Sequence, residues 1–379
     1  MTAGARVYAD WNATTPPLDE VVDAVARAAR EAWANPSSTH ADGRRARAHV
    51  EDAREAVAAL AGVDARDVVL TSGATEANNL ALRSAFARER GVLVTSRLEH
   101  PSVARVAEAL EREGRARVRW LRIDPRGTVD LADLEAALAE GDVRLVAVQA
   151  VSHETGVIQP ARDAVFLAHR AGALAHVDCA QAFGRVEDTA LEADTRSLAG
   201  HKLRGPKGIG ALVARPGLGL VPVLVGGAQE RGLRPGTLDA SLAAGLGVAA
   251  RRARAGPARY AAIAPLRDAL ERAIVGRLGA ARVLGAAPRA PHASAIVFPG
   301  WPGPELVAAL DLEGVSVSSG SACSAGTAEP SAAIAAMVGA DLAASALRIS
   351  LGEETSAADV ERIASALFAV VERVSTGTP

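Results

Sequence analysis

Short Val/Leu-rich runs alternate along the chain with longer, Ala-rich amphipathic stretches, the pattern of a largely parallel sheet covered by helices on both faces. The runs predict strands at Val68–Leu70, Val92–Thr95, Val118–Leu121, Leu145–Val148, Leu174–Val177, Thr195–Ala199 and Ile209–Val213. Between them the periodicity predicts helices at Ala74–Ala87, Ser102–Glu113, Leu131–Ala139 and Ala161–Ala171. After Leu238 the texture changes to long Ala/Arg stretches, Ala240–Arg254 and Ala258–Leu278. A strand at Ser294–Phe298, a helix at Pro304–Leu312, a strand at Leu347–Leu351 and a helix at Ala357–Val374 follow. The expectation is an α/β protein with a domain boundary near Gly256-Pro257.

Composition narrows the function. The 379 residues are 49% hydrophobic and include 35 glycines, so the chain can bury a core of one large domain or two. Lys and Arg number 42 against 44 Asp and Glu, which gives no broad basic surface for nucleic acid or acidic lipid. No run approaches the roughly 20 apolar residues of a membrane span, and Met1–Asp10 lacks a basic segment followed by an apolar one. A soluble, cytoplasmic protein is expected. Two cysteines, Cys179 and Cys323, build neither a disulfide framework nor a Cys-rich metal site.

Of the 42 basic residues only Lys202 and Lys207 are lysines, both within seven residues. Arginine stays protonated and cannot serve as a nucleophilic amine, so a position that retains Lys is a candidate for amine chemistry. Taken as a pair alone, they read better as ordinary surface lysines beside a turn, and only their context overturns that. Leu70-Thr-Ser-Gly-Ala-Thr-Glu-Ala-Asn-Asn79 reads as strand, glycine turn and helix start. Its amides from Gly73 to Glu76, through Ala74 and Thr75, would favour an anion, although a plain capped turn has the same signature. Neither a P-loop nor a GxGxxG fingerprint is present.

Glu99-His100-Pro101-Ser102, His176-Val-Asp178-Cys-Ala-Gln181 and Leu198-Ala-Gly-His201-Lys202 each fall at the C-terminal end of a predicted strand, the ligand-binding edge of an open α/β sheet. No pair of candidate ligands has HxH, HExxH or CxxC spacing, so no resident metal is expected. Pyridoxal 5'-phosphate needs a lysine for its imine, donors for its phosphate and a carboxylate at its pyridine nitrogen, and this set supplies all three. Cys323 stands in a Gly/Ser-rich segment unlike a core, and is read as a thiol that moves and reacts. Cys179, beside Asp178, is read as a small core residue.

Tyr8-Ala-Asp-Trp-Asn12, Thr71-Ser-Gly-Ala-Thr75, Glu99-His-Pro101, His176-Val-Asp178, Gly200-His-Lys202, Gly205-Pro-Lys-Gly208, Gln229-Glu-Arg-Gly-Leu-Arg-Pro-Gly-Thr237, Ser319-Gly-Ser-Ala-Cys323 and Arg348-Ile-Ser-Leu-Gly352 occur in one order. In these motifs the sequence resembles the cysteine desulfurases of the NifS/IscS type, within the class V aminotransferases, over nearly its whole length. The resemblance implies a fold-type-I transferase: a large domain, 15–256, with a mainly parallel seven-stranded sheet, and a smaller α+β domain from 1–14 with 257–379.

It implies that Lys202 carries the imine, His100 stacks on the ring, Asp178 pairs with the pyridine nitrogen and Gln181 reaches the ring oxygen. Ala74, Thr75 and His201 would hold the phosphate, and Thr237 would reach the phosphate of the other subunit of a homodimer. Arg348 and Asn12 would bind the carboxylate of L-cysteine. The Cys323 thiolate, with His100 as its proton partner, would take the sulfur and pass it to an iron–sulfur scaffold or a thiolation enzyme. Cys323 is also the one side chain expected to touch an iron–sulfur cluster, in passing. Selenocysteine lyase or another class V enzyme, and an inactive scaffold of the same fold, are the alternatives.

Three positions depart from the family pattern. His153 stands where an Asn donor to the ring oxygen is usual, Ala199 where a phosphate-binding Ser is usual, and Ala228 where a third Gly is usual.

Overall fold

The computed structural model describes residues 6–187, 192–286, 288–320 and 330–375. It opens with β1 (Val7–Tyr8) and two helices absent from the sequence reading, α1 (Asp19–Glu31) and α2 (Ala41–Ala61). The buried positions of α2 are mostly alanine among many charges (Ala46, Val50, Ala53, Val57, Ala61). An apolar stripe of alanine is too weak to stand out in a hydrophobic pattern, yet it lets helices approach closely.

Seven strands form the main sheet: β2 (Val68–Thr71), β3 (Gly91–Ser96), β4 (Ala116–Leu121), β5 (Val143–Gln149), β6 (Leu174–Asp178), β7 (Thr195–Ala199) and β8 (Gly210–Ala214). Each predicted strand is present, with ends shifted by no more than two residues. Their order is β2-β8-β7-β6-β5-β3-β4, with β8 antiparallel to both neighbours and the other pairings parallel. All six residues of β3 are buried, as both-face coverage requires. On one face, Leu93, Leu145 and Leu212 pack with α3 (Ala74–Ala85) and α4 (Pro101–Arg112). On the other, Val92, Val146 and Val177 pack with α2, α5 (Leu131–Ala139), α6 (Ala161–Arg170) and α7 (Ala240–Ala253). The alternation along each strand therefore divides one sheet between two cores.

The Ala/Arg stretch Ala258–Leu278 is divided between two helices, α8 (Gly256–Ala261) and α9 (Ala264–Arg277). Pro265 lies in the first turn of α9, where its missing N–H is harmless; as an interior residue of one long helix it would break the backbone ladder. Gly256, beside the expected domain boundary, packs on the β6–β7 connection, where a Cβ would meet Gly184 O at 1.9 Å.

Next come β9 (Arg282–Val283), β10 (Ala293–Val297), α10 (Gly303–Leu312), β11 (Val315–Ser316), α11 (Ala332–Val338), α12 (Ala340–Ala343), β12 (Ala346–Ser350) and α13 (Ala357–Ser375). β12-β10-β9 is a small antiparallel sheet, and β1 pairs in parallel with β11. A separate core of Tyr260, Leu270, Ile296, Leu347 and Leu367 takes in Val7 and Ala9 from the start of the chain. The segment after β1 thus leaves one core and runs across to the other.

Candidate active site

The loops after β2, β3, β5, β6 and β7 meet that crossing segment around a cavity of about 440 Å³. Ten of the twelve site positions proposed from sequence line it. Thr237 is exposed and is not on the wall, and Cys323 lies outside the described residues.

Asp178, at the end of β6, is buried and held by three donors. Asn78 Nδ2 donates to its Oδ2 at 2.8 Å, while Ser197 Oγ at 3.1 Å and the Ala180 amide at 2.9 Å donate to Oδ1. Asn78, fully buried on α3, also donates to Ser102 Oγ at 2.8 Å, and its Oδ1 lies 3.0 Å from His176 Nε2. The other nitrogen of His176 meets Thr195 Oγ1 at 2.9 Å. One buried chain of hydrogen bonds therefore fixes the carboxylate from behind. Burial lowers the His176 pKa to about 4, so this imidazole is neutral. Glu99 moves the opposite way: burial, with the Asp178 charge adding to it, pushes its carboxyl well above the usual range.

His100 caps α4. Its Nδ1 accepts from the Ser102 amide at 3.1 Å and lies 2.8 Å from Ser102 Oγ. Burial, then the neighbouring His153, lowers its pKa to about 4. A neutral ring whose Nδ1 accepts from a backbone N–H carries its proton on Nε2. His153 meets His100 edge-on, with ring centroids 5.2 Å apart, and its Nε2 is buried without a hydrogen-bond partner. Glu154 Oε1 is 3.4 Å from that nitrogen but outside hydrogen-bond geometry. Burial opposes ionisation of Glu154, yet His153, Ser331 and Arg348 outweigh it and hold its pKa below the ordinary value.

Lys202 follows β7, and its Nζ donates to the carbonyls of Asn12 and of Ala13, the latter at 2.7 Å. Asn12 is the hub of the crossing segment. Its Nδ2 donates to His153 O at 3.2 Å, its carbonyl accepts Gln181 Nε2 at 3.0 Å, and its Oδ1 accepts Arg185 Nη1 at 3.0 Å and His292 Nε2 at 2.8 Å. Gln181 Oε1 also accepts from Arg185, so both ends of that amide are engaged. Arg348, in β12, gives Nη1 to His153 O at 3.1 Å and Nη2 to Asp10 at 2.7 Å, while its buried Nε has no partner.

At the opposite end, Ser72 to Thr75, His201 and Ala199 line the wall. Gly73 caps α3 without a side chain, and its own amide is taken by Thr71 Oγ1 at 3.3 Å. The convergent donors are thus the first-turn amides of Ala74, Thr75 and Glu76, which have no intrahelical acceptor. Burial, aided by Lys202, Arg185 and Lys207, lowers the pKa of His201 to about 4.

The model of the class-V aminotransferase family matches residues 7–363. The chain belongs to that family. The chain is similar to the cysteine desulfurase of Cereibacter sphaeroides, 40% identical over 381 residues that cover 99% of this chain and 98% of that protein. Among solved structures it is similar to a NifS-like protein, with TM-score 0.89 and 31% identity over 97% of this chain and 99% of the other. It is also similar to SspA, solved in complex with cysteine, with TM-score 0.80 and 30% identity over 92% of this chain and 100% of that one.

The site also contains residues that the sequence reading did not select. Asn78 and Ser102 stood inside quoted motifs, five and two positions after the helix caps Gly73 and His100, and a search for polar groups behind the strand-end residues would have found them. Asp10 also stood inside a quoted motif, Tyr8-Ala-Asp-Trp-Asn12, whereas Arg185 carried no such signal. Arg185 is 1% exposed and joins Asn12, Gln181, Trp11 O and Lys202 O, yet in sequence it is one arginine among forty. Among the described residues, no group of three or more His, Cys, Asp and Glu is arranged to hold a metal, and no helix is long and apolar enough to cross a membrane.

Proposed function

We propose that this protein is a cysteine desulfurase that uses pyridoxal 5'-phosphate to take sulfur from L-cysteine, leaving L-alanine and a persulfide on Cys323. The observation that carries the reading is the place of Lys202. One of two lysines in the chain, it stands at the end of β7 in a cavity that Asp178 and the first turn of α3 also line.

The residues present fit the cofactor. Asp178, already oriented by three donors, suits the pyridine nitrogen, and the orphaned Nε2 of His153 suits the ring oxygen. The amides of Ala74 and Thr75, with the Thr75 hydroxyl and His201, suit the phosphate. Gln181 must release Asn12 to reach a ring oxygen. Bound there, the cofactor supplies an electron sink for charge developing on the substrate.

The protein's own groups do the rest. Lys202 supplies the amine, released from the carbonyls of Asn12 and Ala13. Arg348 and Asn12 take the substrate carboxylate, which competes with Asp10 for Nη2 of Arg348. His100 holds a proton at Nε2 to deliver; to accept one it must become imidazolium or give up its Ser102 amide. The Cys323 thiolate bonds to the substrate sulfur as the C–S bond breaks, the electron pair goes to the substrate carbon, and that carbon takes a proton to give alanine.

Both flanks of the segment carrying Cys323 are tied beside the cavity, which supports its role. Ser318 exchanges backbone hydrogen bonds with Arg348, and Ser331 Oγ donates to Glu154, the neighbour of His153.

The persulfide passes to a sulfur-acceptor protein, an iron–sulfur scaffold or a thiolation enzyme, and the cytoplasm, where thiols stay reduced, is the proposed location. The separate cores support a large domain, 15–256, and a small one, 1–14 with 257–379. Thr237 lies away from its own cavity, and the nearby Val225 is 96% exposed. Together they support a homodimer in which Thr237 serves the partner's phosphate. The test is alanine and sulfide release from L-cysteine with a thiol reductant. The wild type should release both, and Cys323→Ala should keep the visible cofactor band but form no alanine; undiminished turnover in that variant overturns the reading.

A further inference from the structure

A cofactor phosphate brings about two negative charges into the cavity at neutral pH. The cationic side chains on the wall are Lys202, Lys207 and Arg348. Arg348 is ion-paired with Asp10. Lys202 is committed to amine chemistry, in which its charge is not available to the phosphate. Burial lowers the pKa of both His100 and His201 to about 4, so neither brings a standing positive charge to the wall. Ala199, on the same wall, has no polar side-chain atom. The phosphate end would be left with neutral donors and Lys207.

The fold puts Lys207 at that end. It lies in the turn joining β7 to β8, and Gly210, the first residue of β8, pairs with Thr71 in β2. Gly210 also backs directly onto the turn before α3: a Cβ there would meet Gly73 Cα at 2.6 Å and Leu198 O at 2.4 Å. The Lys207 turn is therefore pressed against the turn that presents the Ala74, Thr75 and Glu76 amides. Lys207 and Gly208 line the cavity together with Ser72, Gly73 and Thr75. Lys207 is exposed and makes no ion pair among the described residues, so no carboxylate of this set competes for it.

We propose that Lys207 is the cationic partner of the cofactor phosphate and makes this site selective for the phosphorylated form of the cofactor. The inference rests on the cofactor assignment above and adds a residue to it. It is tested by titrating the cofactor-free full-length protein with pyridoxal 5'-phosphate and with pyridoxal, following the visible band.

Lys207→Met should weaken binding of the phosphorylated form by roughly ten- to a hundredfold, the loss expected of one charge-assisted contact. It should leave pyridoxal binding unchanged, which also reports an intact fold. Lys207→Arg should restore most of the affinity, since it keeps the charge. Equal affinity of Lys207→Met and wild type for the phosphorylated form would overturn the proposal, as would an equal loss for both compounds. A wild type that binds neither compound would overturn the cofactor assignment, and this proposal with it.

Discussion

At the scale of single residues, the chemistry was legible where an unusual residue type stood at a strand end. Lys202, Asp178 and His100 were found this way, because a chain that spends arginine everywhere else marks its amine by contrast. Lys202→Ala should therefore bind cofactor without the visible band of a lysine adduct, and an unchanged spectrum would move the role to Lys207. His201 makes a pH prediction. Its pKa falls from 6.5 to about 4 on folding, chiefly by burial. Between those values the unfolded chain binds a proton that the folded chain does not, so this residue's contribution to stability falls as pH falls from about 6.5 toward 4. Glu99, with its carboxyl pushed up, acts with the opposite sign. Comparison with a variant separates them: the urea midpoint of His201→Gln should depend less on pH between 7 and 5 than that of the wild type. Parallel curves would show that His201 titrates normally.

Among elements, the strands were easier to read than the helices that cover them. Branched aliphatic runs are conspicuous, whereas α1 and α2 bury alanine and carry their charges outward. α2 also holds a buried pair: Arg54 donates to both carboxylate oxygens of Glu230, whose Oε2 accepts from the Leu70 amide at 2.7 Å. Both Glu230 and Arg231 have positive φ, 47° and 59°, and the pair pins that bend. By contrast Ala228, standing where a glycine is usual, has φ −84°, a value that asks nothing special of a side chain. The segment crossing between the cores depends on one glycine. A Cβ at Gly352 would meet the Trp11 ring at 1.8 Å, and Trp11 precedes the Asn12 and Ala13 carbonyls that receive Lys202. Gly352→Ala should cost about 1–3 kcal/mol by overpacking and loosen the cofactor. Urea midpoints and retention of the visible band through dialysis measure both, and an unshifted midpoint would mean that Trp11 moves aside freely.

At the scale of the molecule, the site belongs to no single segment. Asp10 and Asn12 come from the start of the chain, Asp178 and Lys202 from the main sheet, and Arg348 from the small antiparallel sheet. The proposed dimer would add Thr237. An exposed run, Val223 at 40%, Leu224 at 55% and Val225 at 96%, lies in the same loop, where Gly226 is so close to Pro235 that a Cβ on it would meet the proline ring at 2.9 Å. Sedimentation should give two chains per particle for the wild type, and Leu224→Glu with Val225→Glu should shift it toward one chain and weaken cofactor binding. A monomeric wild type would remove Thr237 from the site.

The amino-acid sequence by itself determined the α/β class, the seven strands, the loops that carry the chemistry and most of the cavity's residue types. Those features follow from local pattern and from residue types placed at strand ends. Only the tertiary structure decided which polar groups stand behind them: Asn78 under Asp178, Arg185 beneath Asn12, and Asp10 on Arg348. Hydrogen bonds between residues a hundred or more positions apart leave no periodic trace in a chain, because their partners are chosen by the packing of elements and not by neighbours in sequence.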